Sequence, residues 1–145
     1  MKYFAVASRN IASQRSGLPT ITATGGTSTQ FNDGVDDWEV RTLGVGDSFE
    51  VTAFDAGAVF DVLFWGDGGG GGSRTGAGGG SAGQLIQQFG VTPTVKSYPI
   101  TVGPGGAGAG AGAAAKGADG SGTTFDGTTA DGGSGGGGAF ADDPV

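Results

Sequence analysis

The 145-residue chain carries 35 glycines, about a quarter of its length against roughly 7% in average proteins, and 14 acidic against 7 basic residues, for a net charge of -7. Cysteine and histidine are both absent, which excludes disulfides, thiolate nucleophiles, Cys/His zinc sites and every Ser-His-Asp or Cys-His catalytic arrangement. The acidic balance excludes nucleic acid as a partner, because so few cations cannot displace the counterions of a phosphate backbone.

The chain opens with a five-residue apolar run, Tyr3 to Ala7, too short for the apolar core of a secretory signal, so synthesis in the cytoplasm is expected. No window approaches the 18 apolar residues of a membrane span, which predicts no membrane insertion. The stretch to Gln30 is polar, with Thr20 to Thr29 built mostly of Thr, Ser, Gly and Ala. It reads as an extended N-terminal arm, giving a division into residues 1–30 and a glycine-rich β domain over 31–145.

Next comes an acid-rich turn. Asn32, Asp33, Asp36, Asp37 and Glu39 place several oxygen donors close together, and hard cations take six to eight. The spacing of an EF-hand loop is absent, so the turn reads as solvated. A calcium ion near Asp33, Asp36 and Asp37 is the alternative.

From Trp38 onward side chains alternate. Trp38, Val40 and Thr42 share one face with Glu39 and Arg41 opposite, and after a turn at Gly44–Asp47, Phe49, Val51 and Ala53 alternate with Ser48, Glu50 and Thr52. That period of two predicts a half-buried hairpin. A turn at Asp55–Ala58 leads into Val59–Trp65, apolar on both faces except at Asp61, the candidate central strand. Further strand-like runs lie at Gln84–Gly90 and Val95–Val102, with Pro99 suited to an edge or a bulge. No segment carries a helical apolar stripe, and glycines interrupt the alanine-rich stretch Ala111–Ala118.

Seven glycines lie up to Trp65 and 28 beyond it, 26 of these in three blocks: Gly66–Gly83, Gly103–Gly122 and Gly132–Gly138. Glycine does not recur strictly at every third place, which excludes a collagen helix. The run Gly105–Ala113 alternates Gly and Ala in part, as a silk-like strand would, but one short copy does not make a silk. A flexible linker is the ordinary reading of such composition. Against it, the blocks alternate with segments holding Leu85, Ile86, Phe89, Val95, Tyr98, Ile100, Val102, Phe125 and Phe140, which a disordered chain would leave in water. The packed alternative is a set of polyglycine II-like helices, extended with three residues per turn, whose bare backbones approach closely enough to exchange hydrogen bonds.

With that order of strands and blocks, the sequence resembles a glycine-rich domain found in bacteriophage tail fibres and related virion or bacterial surface proteins. The resemblance covers about Trp38 to Phe140 and rests on FEVTAFDAGAVFDVLFWGDGGGGGSRTGAGGGSAGQ, VTPTVKSYPITVGPGGAGAGAGAAAKGADGSGTTFDG and TADGGSGGGGAF. Tyr98, Ile100, Val102, Gly103, Gly105, Gly106, Thr124, Phe125 and Gly135 to Gly138 fall where that pattern has such residues. It implies a small β structure carrying packed polyglycine helices, used as a rigid scaffold in virion fibres and receptor-binding adhesins. It implies no catalysis and carries over no binding residue.

The remaining chemistry is sparse. Glu39 and Glu50 could face each other across the expected hairpin as a glycosidase pair, which needs about 5 to 5.5 Å (retaining) or roughly 6.5 to 9.5 Å (inverting) between carboxyls. Both fall on its solvent side, where charge is ordinary and nothing would raise one pKa. The first glycine block lacks the Gly-Lys-Ser/Thr of a phosphate loop. Phe49, Phe60, Phe64, Trp65 and Tyr98 read as core, and Trp38, amid acids at a strand start, as the candidate receptor contact.

The expected fold is therefore all-β: a small sheet or sandwich with packed polyglycine II-like segments and an extended N-terminal arm. The expected role is a non-enzymatic bacteriophage virion protein, a short fibre or a capsid or tail decoration subunit, with no catalytic, cofactor or metal residue assigned. The alternative is an adhesin recognising a host surface glycan or outer-membrane protein. Expected partners are other virion proteins, docked through the arm, and further copies of the chain, a trimer foremost, because so little side-chain volume gains core by association.

Overall fold

The computed structural model describes residues 4–8, 19–32, 37–111 and 114–138. Every regular element among them is a strand: β1 (Phe4–Ser8), β2 (Ile21–Thr24), β3 (Thr27–Asn32), β4 (Asp37–Leu43), β5 (Phe49–Phe54), β6 (Phe60–Trp65), β7 (Leu85–Val91), β8 (Lys96–Tyr98), β9 (Ile100–Thr101), β10 (Thr123–Phe125) and β11 (Thr128–Ala130). The described residues fall into two compact units, one within Met1–Phe64, Ile86–Thr101 and Phe125–Gly127, the other within Trp65–Leu85, Val102–Thr124 and Thr128–Val145.

The first unit is a β sandwich. One sheet has the order β3-β4-β1-β6-β7 and the other β2-β5-β8. The all-apolar run places β6 in the sheet interior, as expected, with Phe60, Val62 and Phe64 buried on one face. These meet Phe49, Tyr98 and Phe125 in an aromatic core, where ring centroids lie 5.6 Å apart for Phe49–Phe60, 5.5 Å for Phe60–Tyr98 and 6.3 Å for Phe64–Phe125. Edge-on and tilted packing of this kind adds to the burial of ring area. Trp65 does not join the core: it is 38% exposed, because the strand's alternation turns it to the face opposite Phe64.

Two expectations are corrected. First, β4 and β5 do not form a hairpin, since β4 pairs with β1 and β3 while β5 pairs with β2 and β8. The Gly44–Asp47 turn, closed by Gly44 N–H donating to Asp47 Oδ2 and Asp47 N–H to Gly44 O, carries the chain from one sheet to the other. Leu43 and Phe49 on either side of it are both fully buried, which a hairpin on one sheet face would not require. Second, the first 30 residues are not simply an extended arm. β1 lies between β4 and β6, β2 buries Ile21 and Ala23 against β5, and β3 pairs with β4 from Thr27↔Thr42 to Asn32↔Asp37. Gly25 and Gly26 make the bend between β2 and β3 with φ of +97° and +62°, and a Cβ at Gly25 would overlap the Ser48 carbonyl. The polar look of this stretch hid a turn that needs both glycines.

Pro99 stands between β8 and β9, where the chain leaves β5, and its carbonyl accepts from Asp126 N–H. Asp126 and Gly127 (φ +46° and +85°) join β10 to β11, the two positive φ values of a type I′ hairpin turn.

The second unit contains the glycine blocks, which run as five extended segments: I (66–73), II (77–84), III (103–111), IV (114–122) and V (131–138). Their hydrogen bonds repeat every third residue. From segment I, Gly66, Gly69 and Gly72 donate to Gln84, Ser81 and Gly78 of II, while Asp67, Gly70 and Ser73 donate to Ser121, Ala118 and Ala115 of IV. Gly78, Ser81 and Gln84 of II donate to Gly137, Ser134 and Asp131 of V. Gly106 and Ala109 of III reach Gly68 and Gly71 of I, and Gly133 and Gly136 of V reach Asp67 and Gly70 of I. Segment IV completes the set, with Gly117 and Gly120 bonded to Gly136 and Gly133, and Ala118 and Ser121 to Ala107 and Pro104. The described glycines with positive φ all lie outside these segments, so the segments have the three-residue extended helix of the polyproline II type. Segments I, III and V run one way and II and IV the other. Segment III, with its partial Gly-Ala alternation, bonds two neighbours at every third residue.

Candidate functional site

Trp38 lies on the face of the five-stranded sheet opposite the aromatic core. It is half-buried, and Phe31, its register partner on β3, stacks on it with centroids 6.4 Å apart and planes 10° from parallel. Phe31 itself is 49% exposed. One ring of the pair is thus more available than the Trp38 singled out from sequence. Val40 and Thr42 continue this face along β4, and Leu63 and Trp65 supply it on β6. A flat, half-exposed aromatic pair beside aliphatic and threonine side chains can stack on a sugar ring or pack against an apolar protein surface.

The acidic residues divide differently. Glu39 is buried at 5% exposure, with the Arg41 guanidinium 2.6 Å from its carboxylate and Ser28 Oγ donating to it at 2.7 Å. Arg41 also donates to the Gly25 carbonyl at 2.9 Å, so the pair ties β4 to the β2–β3 bend. Glu39 therefore faces the interior, not solvent. Glu50 is exposed on β5 in the other sheet, paired with Thr24 and Ser97. The two carboxylates do not face each other across a hairpin. Glu39→Ala should destabilise the fold by about 2 kcal/mol by leaving Arg41 without its carboxylate, measured by urea unfolding, while Glu50→Ala stays within about 0.5 kcal/mol of the parent. Asp33 and Asp36 lie outside the described residues. Among the described residues no group of three or more His, Cys, Asp or Glu is placed to hold a metal ion.

In the second unit, Asp119 accepts from Lys116 Nζ at 2.8 Å and from Gly135 N–H at 2.7 Å, fastening segment IV to V. The Lys116 hydrogen bond first, then the Gly135 amide, hold its carboxyl below the ordinary 3.8. A carboxylate whose folded pKa is depressed stabilises the fold above its unfolded pKa and loses that contribution as pH falls through the folded value. Asp119→Asn should therefore flatten the fall in melting temperature below about pH 4 and leave the neutral-pH slope unchanged. The connection between I and II turns at Arg74–Gly76, where Arg74 and Gly76 both take positive φ (78° and 81°) and Ala77 N–H closes onto Arg74 O. This turn presents an exposed cation and Thr75 at the end of the glycine segments.

A family model described as a glycine-rich domain matches residues 42–144. The chain belongs to this glycine-rich domain family. Neither the curated proteins nor the solved structures gave a match. The matched range of the glycine-rich domain runs from within β4 through segment V, so it takes in all five glycine segments and only part of the sandwich. Strands β1 to β3, with Phe31, and Trp38 on β4 precede it. The aromatic pair is thus a feature of this chain beyond the family match, whereas the Arg74 turn lies within it.

Proposed function

We propose that this glycine-rich domain protein is a non-enzymatic structural component of a bacteriophage particle, displayed on its surface as a short fibre or as a capsid or tail decoration subunit. It is made in the host cytoplasm and assembles there with other virion proteins and with further copies of itself, a trimer being the expected form. The observation that carries this reading is the second unit. Its backbone groups bond one another every third residue across five segments, a build that gives a stiff, side-chain-poor unit with few sites for proteolysis and little to offer catalysis. The net charge of -7 suits a protein held soluble at high copy number on a particle surface. Mass spectrometry of purified particles tests the proposal: the chain is expected among the stoichiometric virion proteins, and its absence from particles while present in the infected-cell lysate would overturn it.

The exposed Phe31–Trp38 pair favours a second reading, an adhesin for a host surface glycan or outer-membrane protein. Copy number separates the two, since an adhesin is expected at a few to tens of copies and a decoration subunit at hundreds. An adhesin would also lose adsorption on Trp38→Ala without loss of assembly.

A further inference from the structure

The two sheets of the sandwich treat their edges differently. Open strand edges invite pairing, and proteins blunt them with bulges, lysine, proline or charge. The three-stranded sheet follows that rule: β2 has a register shift between Thr22 and Ala23, and β8 carries Lys96, ion-paired with Asp126 at 2.7 Å. The five-stranded sheet does so at one point, where β7 is interrupted at Gly90 (φ +63°) with its N–H donated to Asp61 Oδ1, and otherwise does not. Its terminal strands, TSTQFN (β3) and LIQQFGV (β7), contain no charged residue and no proline. All six β3 residues are exposed, and Phe31 and Phe89 stand 49% and 70% exposed on the two edges.

We propose that these edges are the assembly contact, β3 of one copy pairing with β7 of a second copy. This deepens the assembly part of the proposed function and rests on it. A second copy is the occupant for two reasons. Among the described residues β3 and β7 each pair with one strand only, so head-to-tail pairing satisfies both outer edges together, whereas an unrelated partner on either strand satisfies one. The chain carries a net charge of -7, so two copies approach without like-charge repulsion only along uncharged strips, and β3 and β7 supply such strips. A contact joining different surfaces of the same molecule closes into a ring where its rotation divides a full turn and runs on as a filament where it does not; the closed case with three copies is the expected trimer. Phe31 and Phe89 would flank the new ladder and lose water from their rings on pairing.

The test uses the full chain and two edge-blocked variants, Thr27→Lys/Thr29→Lys on β3 and Gln87→Lys/Phe89→Lys on β7, each checked for parental circular dichroism. Light scattering on a sizing column should give three times the 13.9 kDa chain mass for the parent and a threefold fall to the monomer for either variant. Mixed in equal amounts, the two variants should form a dimer containing one of each, because each retains the edge the other lacks. Variants that keep the parental mass would overturn the edge contact while leaving self-assembly intact. A β7 variant that is dimeric alone would show β3 pairing with β3 and overturn the head-to-tail arrangement. A parent monomeric at every concentration would overturn the assembly reading and this contact with it.

Discussion

Replacing Gly69 by alanine is expected to cost at least about 3 kcal/mol, or to prevent the second unit from forming, whereas alanine at Gly79 is expected to stabilise by about 0.4 to 1 kcal/mol. Both glycines have negative φ, so conformational strain does not distinguish them. Space does. A Cβ on Gly69 would lie 2.1 Å from the Ser134 carbonyl oxygen, and similar encounters await Gly117 (2.2 Å from Gly70 O) and Gly135 (1.9 Å from Gly117 O), while Gly79 and Gly137 meet nothing within 4 Å. At the crowded positions the neighbour is backbone and cannot swing aside. Segment I must then move away from V, losing the bonds from Gly133 and Gly136, at about 1 kcal/mol net for each, on top of an overpacking cost of about 1 to 3 kcal/mol. Against a total stability of about 5 to 15 kcal/mol that is a large fraction. At the open positions alanine removes only unfolded-chain freedom. Urea unfolding of the alanine series at Gly69, Gly117, Gly135, Gly79 and Gly137 should therefore split into two classes.

Phe60→Ala is expected to destabilise the sandwich by about 3 to 5 kcal/mol. Phe60 is 1% exposed and touches Phe49, Tyr98 and Phe125, with centroids between 5.5 and 6.5 Å. Truncation removes the largest apolar surface at the centre of the core and leaves a cavity that three rigid rings on different strands cannot collapse to fill. Trp65→Ala, on the same strand but 38% exposed, should cost less than half as much despite the larger side chain. Chemical denaturation read by tryptophan fluorescence compares the parent with Phe60→Ala, and circular dichroism extends the comparison to Trp65→Ala. Equal losses for the two would contradict the assignment of faces along β6.

The sequence disclosed the elements whose signal is local. The all-apolar run of β6, the alternation in β4 and β5, and the break at Pro99 all translate directly into strands, because they reflect which faces meet the core. What it hid was set by partners distant along the chain. The alternation of Trp38–Leu43 and Phe49–Phe54 is the same for a hairpin as for a crossing between two sheets, and only the burial of both Leu43 and Phe49 separates them. Alternation alone puts Glu39 on the solvent face, because its partner Arg41 lies on that same face and nothing local marks the Gly25 carbonyl that helps bury the pair. Phe31 carries little signal in the sequence because TSTQFN is mostly polar, although Phe31 lies opposite Trp38 in the β3–β4 register. Asp126-Gly127 between TTF and TTA is a two-residue hairpin turn in its most readable form, a local signal for β10 and β11.

The glycine blocks are the clearest case. Obligatory glycines do recur at every third position, at Gly66, Gly69 and Gly72, at Gly80 and Gly83, at Gly117 and Gly120, and at Gly132, Gly135 and Gly138, each with a Cβ site closer than 3.0 Å to backbone. Glycines that the space does not require, such as Gly79, Gly110 and Gly137, blur that period in the linear sequence. Side chains appear where a row faces outward, as at Lys116 and Asp119, while Asp67 and Ser73 of segment I are buried. Composition alone therefore suggests either disorder or packing, and the positions of the few non-glycine residues distinguish them.

Amide hydrogen exchange resolved to single residues tests the central claim, that the glycine blocks are held together backbone to backbone. The N–H groups of Gly66, Gly69, Gly70, Gly72, Gly117, Gly120, Gly133 and Gly136 each donate to another segment, so they should be protected to the level of the sandwich core. Those of Gly68 and Gly71, which serve as acceptors for segment III but donate to none of the other segments, should exchange orders of magnitude faster. A period-three pattern of slow and fast amides along segment I is the predicted result, and uniform exchange within seconds across all five segments would contradict it.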